Sequence, residues 1–125
     1  KELVKFSNDD GLNYFYIFSG DDESFLDLLM LGGHGVISVA ANVVPRSISN
    51  ICHDFFEDRL KLSIKENKSL SSLYDLLFIE SNPIPVKWML YKMNMIKNSI
   101  RLPLVALDKK YQENIMSEML KLKLL

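Results

Sequence analysis

The chain has 125 residues, with 15 Lys and Arg against 16 Asp and Glu, 48% hydrophobic residues and a formal charge of -1. That balance is ordinary for a soluble globular domain and lacks the basic footprint of a nucleic-acid binder. One cysteine, Cys52, excludes an internal disulfide and a zinc site built on several thiolates.

Lys1–Phe6 reads as the end of a helix and Asn8–Asn13 (NDDGLN) as a loop. Tyr14–Ser19 (YFYIFS) is an almost unbroken aromatic and β-branched run, the pattern of a strand buried on both faces of a parallel sheet. Gly20 permits a sharp turn, and Asp21, Asp22 and Ser24 are cap and first-turn residues. Phe25, Leu28, Leu29 and Met30 form a helical stripe, stopped at Gly32-Gly33 in C-cap fashion. After His34-Gly35 comes a second apolar strand, Val36–Val39, and Pro45 suits the first turn of a following helix.

From Ser47 onward the pattern is helical. Ser47–Phe56 carries Ile48, Ile51 and Phe55. Leu60–Phe78 is one longer amphipathic stretch with Leu62, Leu70, Leu73, Leu76 and Leu77. Pro85–Met95 places Val86, Met89, Leu90 and Met93 on one face. Ser99–Pro103 is a link, and Lys109–Leu122 is a final helix with Tyr111, Ile115, Met119 and Leu122 as its stripe. No apolar run approaches the roughly 20 residues of a membrane helix. No leader pattern opens the chain, so a cytoplasmic protein is expected.

Strand, helix, strand, helix with short loops is the signature of a βαβ unit. Two parallel strands alone leave their outer edges unpaired. A barrel removes those edges by pairing its last strand with its first. The expected fold is therefore α/β: the last two strands of a (β/α)₈ barrel with their helices, residues 1–57, then a helical domain, residues 58–125. The chain opens on Lys1 and not Met. A barrel of this kind needs about 250 residues, so this chain is expected to be about the last two-fifths of such a protein. Ligand groups in a barrel come from the C-terminal ends of its strands, here Ser19-Gly20-Asp21 and Ile37-Ser38.

Asp21 and Asp22 have two readings: paired catalytic carboxylates or a metal site on the one hand, helix caps placed just after a strand on the other. Gly20 answers either to a turn or to a ligand approaching the backbone. Gly32-Gly33-His34-Gly35 precedes a strand, the wrong context for a phosphate cradle, and His34 is a turn residue on the stability face. Cys52-His53-Asp54 looks like a triad in print, but adjacent helical positions do not face one point. A Schiff-base lysine must sit in a desolvated pocket. Lys87 lies in a first helical turn and reads as a surface lysine, and no lysine lies in or at the end of either strand.

The strings Ser19-Gly20-Asp21-Asp22, Leu31–Val39 (LGGHGVISV) and Ala41-Asn42-Val43 resemble the C-terminal half of the 4-hydroxy-tetrahydrodipicolinate synthase (dihydrodipicolinate synthase) family. Asn82–Trp88 (NPIPVKW) and Arg101–Leu104 (RLPL) support the same resemblance over nearly the whole chain, and NPIPVKW argues against the N-acetylneuraminate lyase branch. The resemblance implies a homotetramer that condenses pyruvate with L-aspartate 4-semialdehyde on the diaminopimelate route to lysine. It implies no bound cofactor and no metal, because pyruvate forms an imine with a lysine of the sixth barrel strand. That lysine, the proton-relaying tyrosines and the lysine-feedback site are expected upstream, so no catalytic residue is expected in this segment, and the segment alone is expected to be inactive. Ile37 matches the pyruvate-site residue whose main-chain carbonyl lies beside the imine. Gly20 matches a main-chain contact near the semialdehyde, with Asp21 and Asp22 alongside. Asp58 falls where the family often has a helix-ending glycine, a left-handed position that Asp tolerates less well. Two other readings compete: a related pyruvate-dependent aldolase with another acceptor, and a non-catalytic remnant or interaction module.

Overall fold

The computed structural model describes residues 15–125, so the expected helix end at Lys1–Phe6, the loop at Asn8–Asn13 and Tyr14 lie outside the described residues. In chain order the elements are β1 (Phe18–Ser19), α1 (Phe25–Met30), β2 (Gly35–Val36), a 3-10 turn (Ala40–Asn42), α2 (Pro45–Phe56), α3 (Leu60–Ser69), α4 (Ser71–Leu77), α5 (Ile84–Lys92) and α6 (Lys109–Lys121).

The strands are parallel, with Phe18 opposite Gly35 and Ser19 opposite Val36. The ladder is shorter than the apolar runs that predict it. Its bonds exist only where these two segments run side by side, and among the described residues each strand has one partner. Contacts continue one step beyond each end: the His34 amide donates to the Ile17 carbonyl (2.8 Å) and the Ile37 amide to the Ser19 carbonyl (2.7 Å). Phe15, Tyr16, Phe18 and Ile37 stay more than half exposed, so the strand pair presents bare apolar surface. Such surface suits a sheet that continues on both sides.

Four helices end by one device. After α1 the Gly32 amide donates to the Leu29 carbonyl and the Gly33 amide to the Leu28 carbonyl, with Gly32 at φ 97°. Asp58 (φ 58°), Asn94 (φ 58°) and Lys123 (φ 56°) close α2, α5 and α6 in the same left-handed way. Asp58 thus occupies the conformation its sequence position suggested. Gly33 is required for space: a Cβ there would lie 2.8 Å from Leu28 Cγ and 2.9 Å from the Leu28 carbonyl oxygen. Gly33→Ala is expected to destabilise the protein by about 1–3 kcal/mol, read as a lowered midpoint in a urea titration.

The core is one cluster running from Phe25 and Leu29 in α1, through Ile51, Leu73, Leu77 and Met89, to Ile115 and Met119 in α6. It spans both sides of the expected boundary at residue 58. Pro45 opens α2 in its first turn, and Ile48 and Ile51 are buried. The single helix expected over Leu60–Phe78 is two helices, broken at Leu70. The break lets Leu70, Leu73 and Leu77 turn inward together, while Leu62 is left 52% exposed. Ser63 takes the inner position of α3 instead. It is fully buried, and its hydroxyl donates to the Ile51 carbonyl (2.8 Å). A small side chain there lets α3 lie close against α2. Among the described residues no helix is long and apolar enough to cross a membrane.

Candidate functional site

The expected site residues lie where β1 and β2 end. At the end of β1 the Ser19 hydroxyl accepts from the Asp21 amide (3.1 Å) and donates to the Asp21 carbonyl (3.0 Å), folding the chain over Gly20. Gly20 has no positive φ, and a Cβ built on it meets nothing within 4 Å. Neither the turn nor the packing of the described residues demands glycine at this position.

The two aspartates have different tasks. Asp21 is exposed, and its Oδ2 accepts from the amide (2.9 Å) and hydroxyl (2.5 Å) of Ser24, closing the turn that enters α1. Asp22 is 1% exposed. Its carboxylate accepts from the Ser38 hydroxyl and from the amides of Val39 and Ala40, each amide at 3.0 Å. It therefore caps the 3-10 turn after β2 and not its own helix. The Ser38 hydroxyl also accepts from the Ala41 amide (2.9 Å). The ends of the two strands are clasped through one buried charge.

Ile37 stands just beyond β2, 72% exposed. Among the described residues no hydrogen bond reaches its carbonyl. Beside it opens a cleft of about 310 Å³, lined by Ile37, Ser38, Val39 and Asn42 on one side and by Asn82, Pro83, Val86, Lys87 and Leu90 on the other. Gly20, Asp21 and Asp22 do not line this cleft. Asp21 instead borders a separate hollow with Glu23, Tyr74, Asp75 and Phe78. The strand ends are thus shared, but the cleft belongs to Ile37. Asn82 and Lys87 were not singled out as site residues by their chemistry. The signal for them is the NPIPVKW string itself, which places two polar residues around the start of a helix.

The remaining chemical groups have structural surroundings. Asp54 is paired with Arg59 through Nη2 (2.7 Å) and Nε (2.8 Å), His53 is exposed, and burial pushes the half-buried Cys52 thiol up, keeping it protonated. Tyr74 is buried and its hydroxyl donates to Asn67 Oδ1 (2.9 Å). Burial, with the Asp22 carboxylate adding to it, raises its phenol far above the usual range. His34 sits at the other ends of the strands, where its Nδ1 accepts from the Ile17 amide (3.0 Å) and its ring meets the Tyr16 ring edge-on. That bond assigns the imidazole proton to Nε2. Among the described residues no group of His, Cys, Asp or Glu is arranged to hold a metal ion.

The model of the dihydrodipicolinate synthetase family matches residues 7–122. The chain belongs to this family. The 4-hydroxy-tetrahydrodipicolinate synthases of Coxiella burnetii and Nitrosomonas europaea are each 48% identical to it, over 79% and 85% of its length. The chain spans about a third of those relatives, 34% and 36%. The dihydrodipicolinate synthase of Acinetobacter baumannii, solved as a chloride-inhibited complex with pyruvate, superposes with a TM-score of 0.85 at 38% identity, covering 93% of this chain and 40% of that one. The Aquifex aeolicus dihydrodipicolinate synthase superposes with a TM-score of 0.89 at 32% identity, over 98% of this chain and 41% of that one. The fold class is the one expected from the sequence: the last strands and helices of a (β/α)₈ barrel followed by a helical domain. Within it, the shared ends of β1 and β2 are the face on which a barrel carries its chemistry.

Proposed function

We propose that this chain is the C-terminal portion of a 4-hydroxy-tetrahydrodipicolinate synthase that condenses pyruvate with L-aspartate 4-semialdehyde in lysine biosynthesis. In this reading residues 1–57 complete the barrel and residues 58–125 form the helical domain. The functional unit is a cytoplasmic homotetramer.

The chemistry is covalent catalysis by an amine. A lysine upstream of this chain condenses with the pyruvate carbonyl and loses water. The resulting imine acidifies the methyl group, and loss of a methyl proton gives an enamine. The enamine carbon then attacks the aldehyde carbon of the acceptor, whose oxygen takes up a proton. Ile37 supplies a main-chain carbonyl beside the imine. Gly20 supplies backbone without a side chain at the neighbouring strand end, where a ligand needs close approach. Asp22 holds the two strand ends in register. The observation that carries the reading is Ile37: an exposed residue at the C-terminal end of β2, whose carbonyl takes no hydrogen bond from the described residues, on a chain 48% identical to synthases.

The test is borohydride trapping of the intact protein with pyruvate, followed by turnover with the semialdehyde. A stoichiometric pyruvate adduct on a lysine outside this chain, with product formed from the semialdehyde, is the expected result. An adduct without turnover points to an aldolase with another acceptor. An intact protein that forms no adduct overturns the reading.

A further inference from the structure

The Ile37 carbonyl belongs to a peptide that the strand ladder holds at one end only. The Ile37 amide is bonded to the Ser19 carbonyl (2.7 Å), and the 3-10 turn starts only at Ala40. Between them, among the described residues, no bond from one main chain to another reaches Ser38. Its side chain supplies the missing tether. The hydroxyl donates to the Asp22 carboxylate and accepts from the Ala41 amide (2.9 Å). Asp22 is buried and also holds the Val39 and Ala40 amides, so the anchor itself is fixed. The peptide that carries the Ile37 carbonyl is thus held at one end by a main-chain bond and at the other by a side chain.

Ser38 is half-buried and lines the cleft beside Ile37, yet its hydroxyl has a single proton and gives it to Asp22. None is left for a ligand. We propose that Ser38 is a positioning residue that fixes the direction of the Ile37 carbonyl beside the imine; this rests on the synthase reading above. A protonated imine formed from a primary amine keeps one N–H and a positive charge, and a carbonyl oxygen next to it accepts from that N–H. The angle matters for the step that follows. The methyl C–H that breaks must stand upright to the imine plane, so that its electron pair flows into the new carbon–carbon double bond and the C=N pair onto nitrogen, while a base takes the proton. A carbonyl already held at one angle keeps the imine plane in that attitude before the reaction begins. On a loose peptide it samples other angles, and small misplacements are costly in rate.

The experiment uses the intact protein with Ser38→Ala, which removes both hydroxyl bonds, and Ser38→Thr, which keeps the hydroxyl. Neither change touches the amide bonds of Asp22, which tie the strand ends. Exchange of the pyruvate methyl protons for deuterium, followed by NMR in deuterium oxide without acceptor, reads the proton-removal step alone. Ser38→Ala is expected to slow this exchange and kcat about tenfold, with KM for the semialdehyde little changed. Ser38→Thr is expected to recover most of both rates. Borohydride is expected to trap a stoichiometric pyruvate adduct in all three proteins, because the imine amine lies elsewhere. Unchanged exchange and kcat in Ser38→Ala, or equal losses in the Ala and Thr variants, overturns the proposal. A loss confined to KM for the semialdehyde makes Ser38 a substrate ligand and overturns it as well. Should Ser38→Ala not fold, Ser38→Cys, whose thiol is a weaker donor and acceptor, is set against Ser38→Thr. A wild type that forms no adduct overturns the synthase reading, and the role of Ser38 with it. A wild type that forms the adduct beside a fully active Ser38→Ala overturns the role of Ser38 alone.

Discussion

Pyruvate and borohydride are expected to leave the isolated 125-residue chain with no more adduct than its own denatured control. Imine formation needs an unprotonated amine, and a solvated lysine has a pKa of about 10.4. An enzyme lowers that value by burying the amine or placing it beside another cation. No lysine among the described residues is buried. Lys92 lies over the rings of Trp88 and Tyr91. Lys110 rests on Tyr111, and its hydrogen bonds to Tyr111 and Asp108 raise its pKa, away from nucleophilic character. Lys87 is half-buried, but it borders an open cleft. The expected outcome does not depend on whether the isolated chain folds, because unfolded lysines are equally protonated. Intact-mass spectrometry after reduction is the measurement, with the longer protein as positive control. One stoichiometric adduct on a single lysine of the isolated chain sinks the prediction.

The sequence made the strand–helix–strand order and the helix ends readable because local rules act there. Gly32 announces a left-handed position and Pro45 a first turn, while that of Asp58 was suggested by the family resemblance alone. Ile115 and Met119 repeat at helical spacing and are buried. What escaped sequence reasoning depends on partners distant in the chain. Leu62 fits the apolar stripe of one long helix, yet the bend at Leu70 turns it outward and Ser63 inward. Nothing local marks Ser63, whose partner is the Ile51 carbonyl of the preceding helix. Glu118 breaks the expected stripe of α6 and is nonetheless buried, because the Ser72 hydroxyl donates to it (3.1 Å) and Lys121 pairs with it (3.2 Å).

The site was legible in the same uneven way. That chemistry should gather at Gly20 and Ile37 follows from their places at strand ends. That Ile37 faces Asn82 and Lys87 does not, since Asn82 comes 45 positions after Ile37 in the chain. Capping was a sound reading of Asp21 and Asp22 as residue types. The target of the Asp22 cap, a turn 16 to 18 residues further on, is a tertiary fact.

Asp22→Ala is expected to cost about 3–5 kcal/mol, several times the effect of Asp21→Ala. Removing the Asp22 carboxylate strips acceptors from the Ser38 hydroxyl and from the Val39 and Ala40 amides. The Ala40 amide is buried, so water cannot take the place of the lost acceptor without opening the core. A bond to a charged group contributes about 1.5–3 kcal/mol, and an orphaned buried donor costs about 1–3. These losses overlap because they share one group, which holds the total below their sum. Asp22→Asn retains a carbonyl oxygen for the two amides, and its NH₂ faces the Ser38 hydroxyl, which can accept from it. About 1–2 kcal/mol is expected for that change. Asp21→Ala removes an exposed cap with solvent-accessible donors, for about 0.5–2 kcal/mol. Denaturant titration of the three variants in the intact protein measures the order. The same series separates a clasp from a ligand for the aspartates. A clasp loses stability first, and its activity returns at low temperature where the fold is kept. An Asp22→Ala variant of undiminished stability and lost activity would make Asp22 a substrate ligand, and the strand ends would then need another tie.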